Sequence, residues 1–382
     1  MSEGLPRIHW TDDGHSHSAP WRSLSGHAPP SLVQLVGDEV SAGAALHLAR
    51  AGTGLLWCGD YQNARHLLQA MGRRLEPAPA PRSNRTSTLR DAFLATRQAQ
   101  AERAQLLGLL LLPFDADHGL PLRRAPDVRA AGLQAHGPVG EHYVASLREL
   151  LGLIGAFEWR KKGVPIDALQ ARIHPHHGVF SPVRGEYVDL VAQAPLPAAA
   201  RTAGAFDIGC GTGVLAAVLA QRGLRVVATD IDARALACTQ DNLQRLGLGA
   251  AVTVQAADLF PAGRAGVVLC NPPWVPVPAH SALDAAVYDP DSRMLRGFLA
   301  GLRAHLAPGG EGWLVLSDLA EHLGLRTRDE LLGWIAQGGL RVLGRMDTRP
   351  RHHRAADTRD PLHAARAAEV TSLWRLQADS GA

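Results

Sequence analysis

Four consecutive residues in the last third of the chain, Asn271-Pro272-Pro273-Trp274, combine groups suited to holding an amino group. Two successive prolines fix φ and remove two backbone donors, so the strand end that carries them is rigid. The Asn271 side-chain carbonyl and the Pro272 carbonyl can accept the two hydrogens of an NH₂ group, and Trp274 offers a flat stacking face. Such a clamp works by orienting the nitrogen lone pair and needs no strong base. Alone, the motif also fits a stiff turn with a core tryptophan.

A glycine-rich turn lies upstream, directly after a short apolar strand. Its residues are Asp207, Gly209, Cys210, Gly211, Thr212 and Gly213. Glycines allow the backbone to turn tightly and to approach a ligand without a Cβ clash, and the predicted helix over 214–222 begins with unpaired N–H donors. The GxGxG spacing departs from the usual dinucleotide fingerprint and is weak evidence by itself.

Two further predicted strands end in acidic residues. Asp230 follows the strand over 224–229, and Asp258 follows the strand over 251–256. A carboxylate at the tip of the second strand can accept hydrogen bonds from a ribose diol. Ile231 is placed to pack on an adenine face, and Asp258 to meet the adenine amino group. Either acid alone could be a helix cap or a solvated loop residue, but successive strand ends with suitable groups favour a nucleotide-type ligand.

Residues 205–274 resemble the class I S-adenosylmethionine-dependent methyltransferases, in the branch with an (N/D)PP(Y/F/W) motif. The resemblance rests on DIGCGTG, ATDID, AADLF and NPPW and continues to about Glu311. The segment GVFSPVRGEYVDL also resembles the small-domain methyltransferases of ribosomal RNA guanines and the glutamine methyltransferases of release factors. The resemblance implies methyl transfer from S-adenosylmethionine to an exocyclic or amide NH₂ of RNA or of a translation protein.

The resemblance also implies roles for individual residues. The cofactor-binding set would be Asp207, Gly209, Cys210, Gly211, Thr212, Gly213, Asp230, Ile231, Asp258, Leu259 and Asn271, and the catalytic set Asn271, Pro272, Pro273 and Trp274. The release-factor enzymes usually carry Tyr in the last motif position and the ribosomal guanine enzymes carry Phe. Trp274 keeps the stacking face of both and selects neither substrate.

The expected fold is a seven-stranded, doubly wound, Rossmann-like methyltransferase sheet of the α/β class, whose last strand (369–376) is antiparallel. We predict a flexible N-terminus over residues 1–30, an N-terminal accessory α/β domain over 31–140, and the methyltransferase domain over 141–382. An amphipathic helix is expected over 142–157, and a hairpin lead-in over about 156–184. Tyr288 and Asp289 are candidate substrate contacts, although a turn with a helix cap fits them equally well.

No metal site is predicted, because the histidines lack ligand spacing or nearby cysteines and carboxylates. The histidines considered are His9, His15, His17, His27, His174, His176 and His177. The four cysteines form no CxxC pair, so free thiols in a reducing cytoplasm are expected. The longest apolar run, 106–114, is too short for a bilayer. A soluble cytoplasmic protein without a membrane partner is therefore expected, and its oligomeric state is not predicted.

The expected partner is RNA or a ribosomal or translation-factor protein. The net charge of +3 permits an RNA partner without requiring one. The accessory domain and the Arg- and His-rich segment 348–366 favour RNA, although charge runs usually face water. Three alternatives stay open: a cofactor-binding module without catalysis, a DNA adenine methyltransferase, and an NAD-linked oxidoreductase. The intact NPPW motif opposes the first, and the glycine spacing opposes the last.

Overall fold

A computed structural model describes residues 4–76, 88–181, 185–279, 284–349 and 362–379. The chain divides into two compact units, which we call the first unit (Met1–Thr86 with Leu94–Glu158) and the second unit (Ser87–Phe93 with Trp159–Ala382). Among the described residues, no helix is both long and apolar enough to cross a membrane. Residues 182–184 of the predicted lead-in and residues 350–361 of the Arg- and His-rich segment lie outside the described residues.

The first unit alternates strands and helices. Its elements are β1 (Arg7–Asp12), β2 (His15–Pro20), β3 (Leu32–Val36), α1 (Ala42–Arg50), β4 (Thr53–Trp57), α2 (Tyr61–Arg74), α3 (Leu89–Gly108), β5 (Leu110–Phe114), α4 (Arg129–His136), β6 (Tyr143–Ser146) and α5 (Leu147–Lys162). The helices α3 and α5 cross the division between the units. The sheet order is β3-β4-β5-β6, with β6 antiparallel to β5 and the other neighbours parallel.

The prediction of a flexible segment over residues 1–30 was wrong for residues 7–20, which form the antiparallel hairpin β1–β2. Asp13 and Gly14 both have positive φ and form its two-residue turn, the conformation that an Asp-Gly pair favours. Ile8 pairs with Ala19, and both are buried together with Trp21 against the first-unit sheet. The segment has too few apolar residues to show a strand pattern, but its Asp-Gly pair could have indicated a hairpin turn.

The predicted helix over 142–157 was wrong at its start. Tyr143–Ser146 is a strand that pairs with β5, and α5 begins only at Leu147. All four residues of this strand are buried, and a short apolar run cannot be assigned to helix or strand from periodicity alone. Consequently residues 141–158 belong to the first unit rather than to the methyltransferase domain that was predicted to begin at 141.

The second unit contains the larger sheet. Its elements are β7 (Val164–Ile166), β8 (Ala171–Ile173), α6 (Glu186–Gln193), α7 (Ala198–Ala203), β9 (Ala205–Ile208), α8 (Val214–Gln221), β10 (Val226–Asp230), α9 (Ala233–Arg245), β11 (Val252–Ala256), β12 (Ala265–Cys270), α10 (Arg293–His305), β13 (Leu306–Ser317), α11 (Leu319–His322), α12 (Arg328–Gln337), β14 (Leu340–Thr348), α13 (His363–Ala368) and β15 (Thr371–Ala378). The short strands β7 and β8 form an antiparallel hairpin within the predicted lead-in.

The predicted seven-stranded, doubly wound sheet is confirmed. Its order is β11-β10-β9-β12-β13-β15-β14, and β15 is antiparallel to both of its neighbours, as expected for the last strand. Alternate residues of β12 contribute to different cores: Val267 and Leu269 to one, Val268 and Cys270 to the other. The sheet is thus covered on both faces. The strand order reverses between β9 and β12, and such switch points open a crevice at the carboxyl ends of the strands.

Candidate active site

A cavity of about 730 Å³ lies at these carboxyl ends in the second unit; we call it the strand-end cavity. Most of the predicted site residues line it: Gly209, Cys210, Gly211, Thr212, Asp230, Ile231, Asp258, Leu259, Asn271, Pro272, Pro273 and Trp274. Asp207 and Gly213 do not line it. The fold therefore brings the ends of β9, β10, β11 and β12 to a single space. Its volume lies within the range of roughly 300–1,000 Å³ usual for ligand pockets.

The glycine turn after β9 has a backbone that side chains rarely permit. Gly209, Gly211 and Gly213 all have positive φ, at 74°, 54° and 77°. A Cβ on Gly209 would come within 2.6 Å of the Met294 side chain, and one on Gly213 within 2.8 Å of Thr239. Gly209 and Gly213 are thus required both by the turn and by the close approach of neighbouring elements, whereas Gly211 is required by its positive φ alone. The loop leaves a cradle that faces the strand-end cavity.

Asp207 lies behind this cradle and is only 1% exposed. Its Oδ2 accepts a hydrogen bond of 2.9 Å from the backbone N–H of Ala216, in the first turn of α8. Burial raises the pKa of Asp207 to about 7, the bond from Ala216 opposes the rise, and the nearby charge of Asp230 adds to it. The contact fastens the glycine turn to α8, so Asp207 positions the loop from behind the cavity wall.

The acidic end of β10 organises the opposite side of the cradle. Asp230 Oδ2 accepts from the Gly211 N–H and its Oδ1 accepts from the Asp232 N–H, each at 3.0 Å. The neighbouring Ile231 is 71% exposed although it lines the cavity. An exposed isoleucine beside an anchored carboxylate suits a ligand with one apolar face and one hydrogen-bonding edge.

The loop after β11 has an unusual backbone. Leu259 has a φ of 75°, which is rare for a residue with a branched side chain. Its carbonyl oxygen accepts a 2.6 Å hydrogen bond from the Thr229 hydroxyl. Asp258 pairs with Arg293 at 3.4 Å, and both side chains are exposed. The bond from Thr229 ties the loop after β11 to β10. The loops that follow these two strands both border the strand-end cavity.

The NPPW segment has an internal contact that the sequence did not predict. Trp274 Nε1 donates a 2.9 Å hydrogen bond to Asn271 Oδ1. The Asn271 side chain also hydrogen-bonds the Tyr187 hydroxyl and opposes the rise that burial causes in its pKa, so the amide N–H of Asn271 is the donor in this bond. The Trp274 ring meets the Tyr187 ring edge to face, at a centroid distance of 6.3 Å. A carbonyl oxygen has two lone pairs, so Asn271 keeps one acceptor position for a ligand while its amide orientation is held.

Tyr187 is the main site residue that the sequence analysis missed. It lies in α6, is buried and lines the strand-end cavity. Burial raises the pKa of its hydroxyl above the ordinary range, and the charge of Asp207 adds to the rise, so it is neutral near pH 7. The sequence feature that could have identified Tyr187 is its position in the segment GVFSPVRGEYVDL. Only tertiary packing brings it to Asn271, 84 positions away.

The candidate substrate contact Asp289 is a helix cap. Its Oδ2 accepts from the backbone N–H groups of Met294 and Leu295, at 2.8 and 3.4 Å, at the start of α10. Burial raises the pKa of Asp289, and these backbone bonds oppose the rise. Asp291 and Ser292 have φ of 55° and 53°. The cap holds a strained turn that brings α10 to the strand-end cavity.

The histidines of the lead-in have structural partners. His174 Nδ1 lies 2.6 Å from the carbonyl oxygen of Arg160, and His176 Nε2 lies 3.1 Å from Asp241. Burial lowers the pKa of His176, and the bond to Asp241 opposes the fall. Among the described residues, no group of three or more His, Cys, Asp or Glu could hold a metal ion. The His174 contact attaches the lead-in to the end of α5 and the His176 contact attaches it to α9. Gly178, Val179 and Phe180 then line the cavity.

Residues 170–328 match the family described as the methyltransferase small domain. The tRNA1(Val) (adenine(37)-N6)-methyltransferase of Serratia proteamaculans is 30% identical over 188 residues, which cover 46% of this chain and 70% of that protein. The chain belongs to the methyltransferase small domain family. The second unit accordingly has the class I methyltransferase fold.

Other relatives match shorter stretches of this domain. The release factor glutamine methyltransferase of Moorella thermoacetica is 37% identical over 115 residues, which cover 28% of this chain and 41% of that protein. The ribosomal RNA small subunit methyltransferase C of Alcanivorax borkumensis is 32% identical over 111 residues, with coverage of 28% and 30%. The chain thus spans less than half the length of these two relatives.

Proposed function

We propose that the chain transfers a methyl group from S-adenosylmethionine to a planar NH₂ group of RNA or of a translation protein. The observation that carries this proposal is the position of Asn271-Pro272-Pro273-Trp274. The motif faces the same cavity as the glycine cradle and the acidic strand ends. A cofactor site and a clamp for an amino group therefore share one space.

The residues present fit this cofactor. The cradle around Gly209 and Gly211 suits the amino-acid part, the Asp230 carboxylate the ribose hydroxyls, and the exposed Ile231 an adenine face. Asp258 and Leu259 border the place where the adenine edge would lie. Asp207 acts behind the wall as a positioning residue, because its carboxyl is bonded to the backbone of α8. The bound cofactor supplies an electrophilic methyl carbon.

The role of Asn271 follows from its contacts. Trp274 occupies one acceptor position of Oδ1, and the other can accept one hydrogen of the target NH₂ group. The rigid Pro272 carbonyl can accept the second hydrogen, so that the nitrogen lone pair is directed along the cavity. Since no group here must remove a proton before attack, most of the rate gain comes from orientation.

The substrate class is supported by the relatives. Their names specify a release-factor glutamine, a tRNA adenine N6 and small-subunit ribosomal RNA. A glutamine amide and an adenine amino group both present NH₂ on a planar system. That shared chemistry suits a clamp with one free carbonyl acceptor and an adjacent tryptophan.

The test is to incubate the full chain and an Asn271→Ala variant with methyl-labelled cofactor and separate pools of total RNA, ribosomal protein and release factor. Label should enter RNA or a translation protein, and Asn271→Ala should reduce turnover by about 100-fold or more, as loss of a transition-state contact does. Cofactor affinity by calorimetry should change little. Unreduced turnover in the variant, or label in none of the pools, would overturn the proposal.

A cofactor-binding module without catalysis is the second candidate. One observation favours it: the Asn271 carbonyl already accepts a bond from Trp274, whose ring is partly buried among core residues. This candidate predicts calorimetric binding of S-adenosylmethionine and no transfer to any pool. The same experiment therefore separates the two functions.

A further inference from the structure

A second and larger cavity, of about 1490 Å³, lies along α10 in the second unit. It is bordered by α10, by α12 and by the first residues of β13 and β14. Five arginines line it: Arg264, Arg293, Arg296, Arg303 and Arg341. We call it the arginine groove. All five side chains are exposed.

The amphipathic character of α10 produces the groove. Leu295, Phe298, Leu299 and Leu302 on this helix are buried in the core. Arg293, Arg296 and Arg303 are spaced by three and seven positions, so they share the outward face. Gly297 and Ala300 lie between these arginines, Ala304 follows Arg303, and all three small residues also line the groove. The helix therefore presents guanidinium groups above a floor of small side chains, where an extended chain can approach closely.

The charge of the groove is unbalanced. Asp291 is the one carboxylate among its described lining residues, against five arginines, of which Arg293 also pairs with Asp258. The whole chain carries a net charge of only +3. Arg296 lies over the Trp334 ring at 5.5 Å, and Arg264 donates to the carbonyl oxygen of Ala304 at 3.1 Å. These contacts hold two guanidinium groups in place at the groove, and a guanidinium has five donors.

The groove adjoins the strand-end cavity, with which it shares two lining residues. Arg293 and Gly297 line both spaces. From Arg293 to Arg303 the helix rises about 15 Å, at about 1.5 Å per residue. At a spacing of about 3.4 Å per stacked nucleotide, that length matches about four phosphates of one strand. A strand that follows α10 as far as Arg293 would therefore reach the border of the strand-end cavity, which Asn271 also lines.

We propose that the arginine groove binds the sugar-phosphate backbone of a nucleic-acid strand whose target base enters the strand-end cavity. The proposal rests on the proposed methyl transfer and narrows its substrate to nucleic acid. Planar guanidinium groups suit phosphate, and Trp334 offers an aromatic face of the kind that stacks bases. A protein interface would be expected to have a centre depleted of charged residues, whereas five arginines line this groove.

The test measures binding without cofactor, by fluorescence anisotropy, using labelled single-stranded RNA and DNA of the same sequence. An Arg296→Gln/Arg303→Gln variant should weaken binding about tenfold or more at low salt. It should also reduce the slope of log affinity against log salt by about 1.4, since two single-strand phosphate contacts contribute about 0.7 each. Preference between the RNA and DNA probes then identifies the kind of strand.

Two control variants define the outcome. Arg296→Lys/Arg303→Lys keeps the charge and should retain most of the affinity. Arg201→Gln/Arg225→Gln removes two exposed arginines of the same unit outside the groove and should change binding less than threefold. Equal losses of affinity in the Arg296→Gln/Arg303→Gln and Arg201→Gln/Arg225→Gln variants would overturn the proposal. It would also be overturned if the groove substitutions weakened binding of a labelled polyglutamate probe as much as binding of the nucleic acids.

This outcome is distinct from failure of the methyl transfer. The groove variants should bind S-adenosylmethionine in calorimetry like the unmodified chain. Strand binding that survives the groove substitutions refutes the groove even if methyl transfer is observed. Conversely, if the methyl label enters protein and never nucleic acid, the proposal that the substrate is a nucleic-acid strand is refuted, while the proposed methyl transfer stands.

Discussion

An acidic side chain follows β4 in the first unit and another ends β10 in the second, but their surroundings differ. Asp60 is 1% exposed and accepts from Arg123 and Arg124 at 2.9 and 2.7 Å. Asp230 is anchored by the Gly211 N–H and lines a cavity of about 730 Å³. In the first unit, protein groups satisfy the strand-end acid; in the second, space for a ligand remains. An acid at a strand end thus indicates a ligand site only where the loops leave room.

The largest effects should come from neutralising each acid. Asp230→Asn should weaken S-adenosylmethionine binding about tenfold or more, since hydrogen bonds to charged groups contribute about 1.5–3 kcal/mol, and should shift the melting temperature little. Asp60→Asn should lower the melting temperature by several degrees and leave the affinity unchanged. Calorimetry and thermal unfolding of both variants check this. Similar losses of S-adenosylmethionine affinity in the two variants would show that the two acids do not differ in this way.

The two units should also differ in the sign of their pH dependence. Hydrogen bonding to Arg124 holds the pKa of Asp60 at about 2, so its stabilising effect is present above pH 4 and is lost as the pH falls towards 2. Burial raises the pKa of Asp207 to about 7. Above pH 4 the unfolded chain releases that proton while the folded chain retains it, so stability falls until about pH 7.

Unfolding of an Asp207→Asn variant measures the second effect, because asparagine keeps an acceptor for the Ala216 N–H. Relative to the unmodified chain, the variant should gain stability as the pH rises from about 4 to about 7, while Asp60→Asn should show no such gain. Parallel profiles for Asp207→Asn and the unmodified chain over this range would contradict the assignment of a raised pKa to Asp207.

The smallest effect should come from two buried tyrosines. Tyr187 in the second unit hydrogen-bonds Asn271, and Tyr143 in the first lies 3.0 Å from His118 Nδ1 through its hydroxyl. Tyr187→Phe should lower kcat about two- to tenfold with little change in KM, because one neutral hydrogen bond contributes about 0.5–1.5 kcal/mol. Tyr143→Phe is the matched control and should leave kcat unchanged. A rise in KM without a fall in kcat would show that Tyr187 does not position Asn271.

Much of the second unit was predictable because its signals are local. Glycines, acids and prolines at the ends of apolar runs identify where parallel strands stop, and the doubly wound sheet with an antiparallel last strand is confirmed. The roles of the individual site residues stay predictions. The first unit was harder, because the Asp13-Gly14 turn lies among polar residues and the strand Tyr143–Ser146 resembles the start of the helix that follows it.

The sequence by itself determined the order of the strand ends in the second unit and the chemical groups at each. A residue's position relative to a strand end is set within a few residues, so it can be inferred without the rest of the chain. The tertiary structure decided which groups meet: Tyr187 with Asn271, Trp274 with the Asn271 carbonyl, and Arg293 at the junction of cavity and groove. These contacts join distant segments or depend on side-chain direction, which packing alone selects.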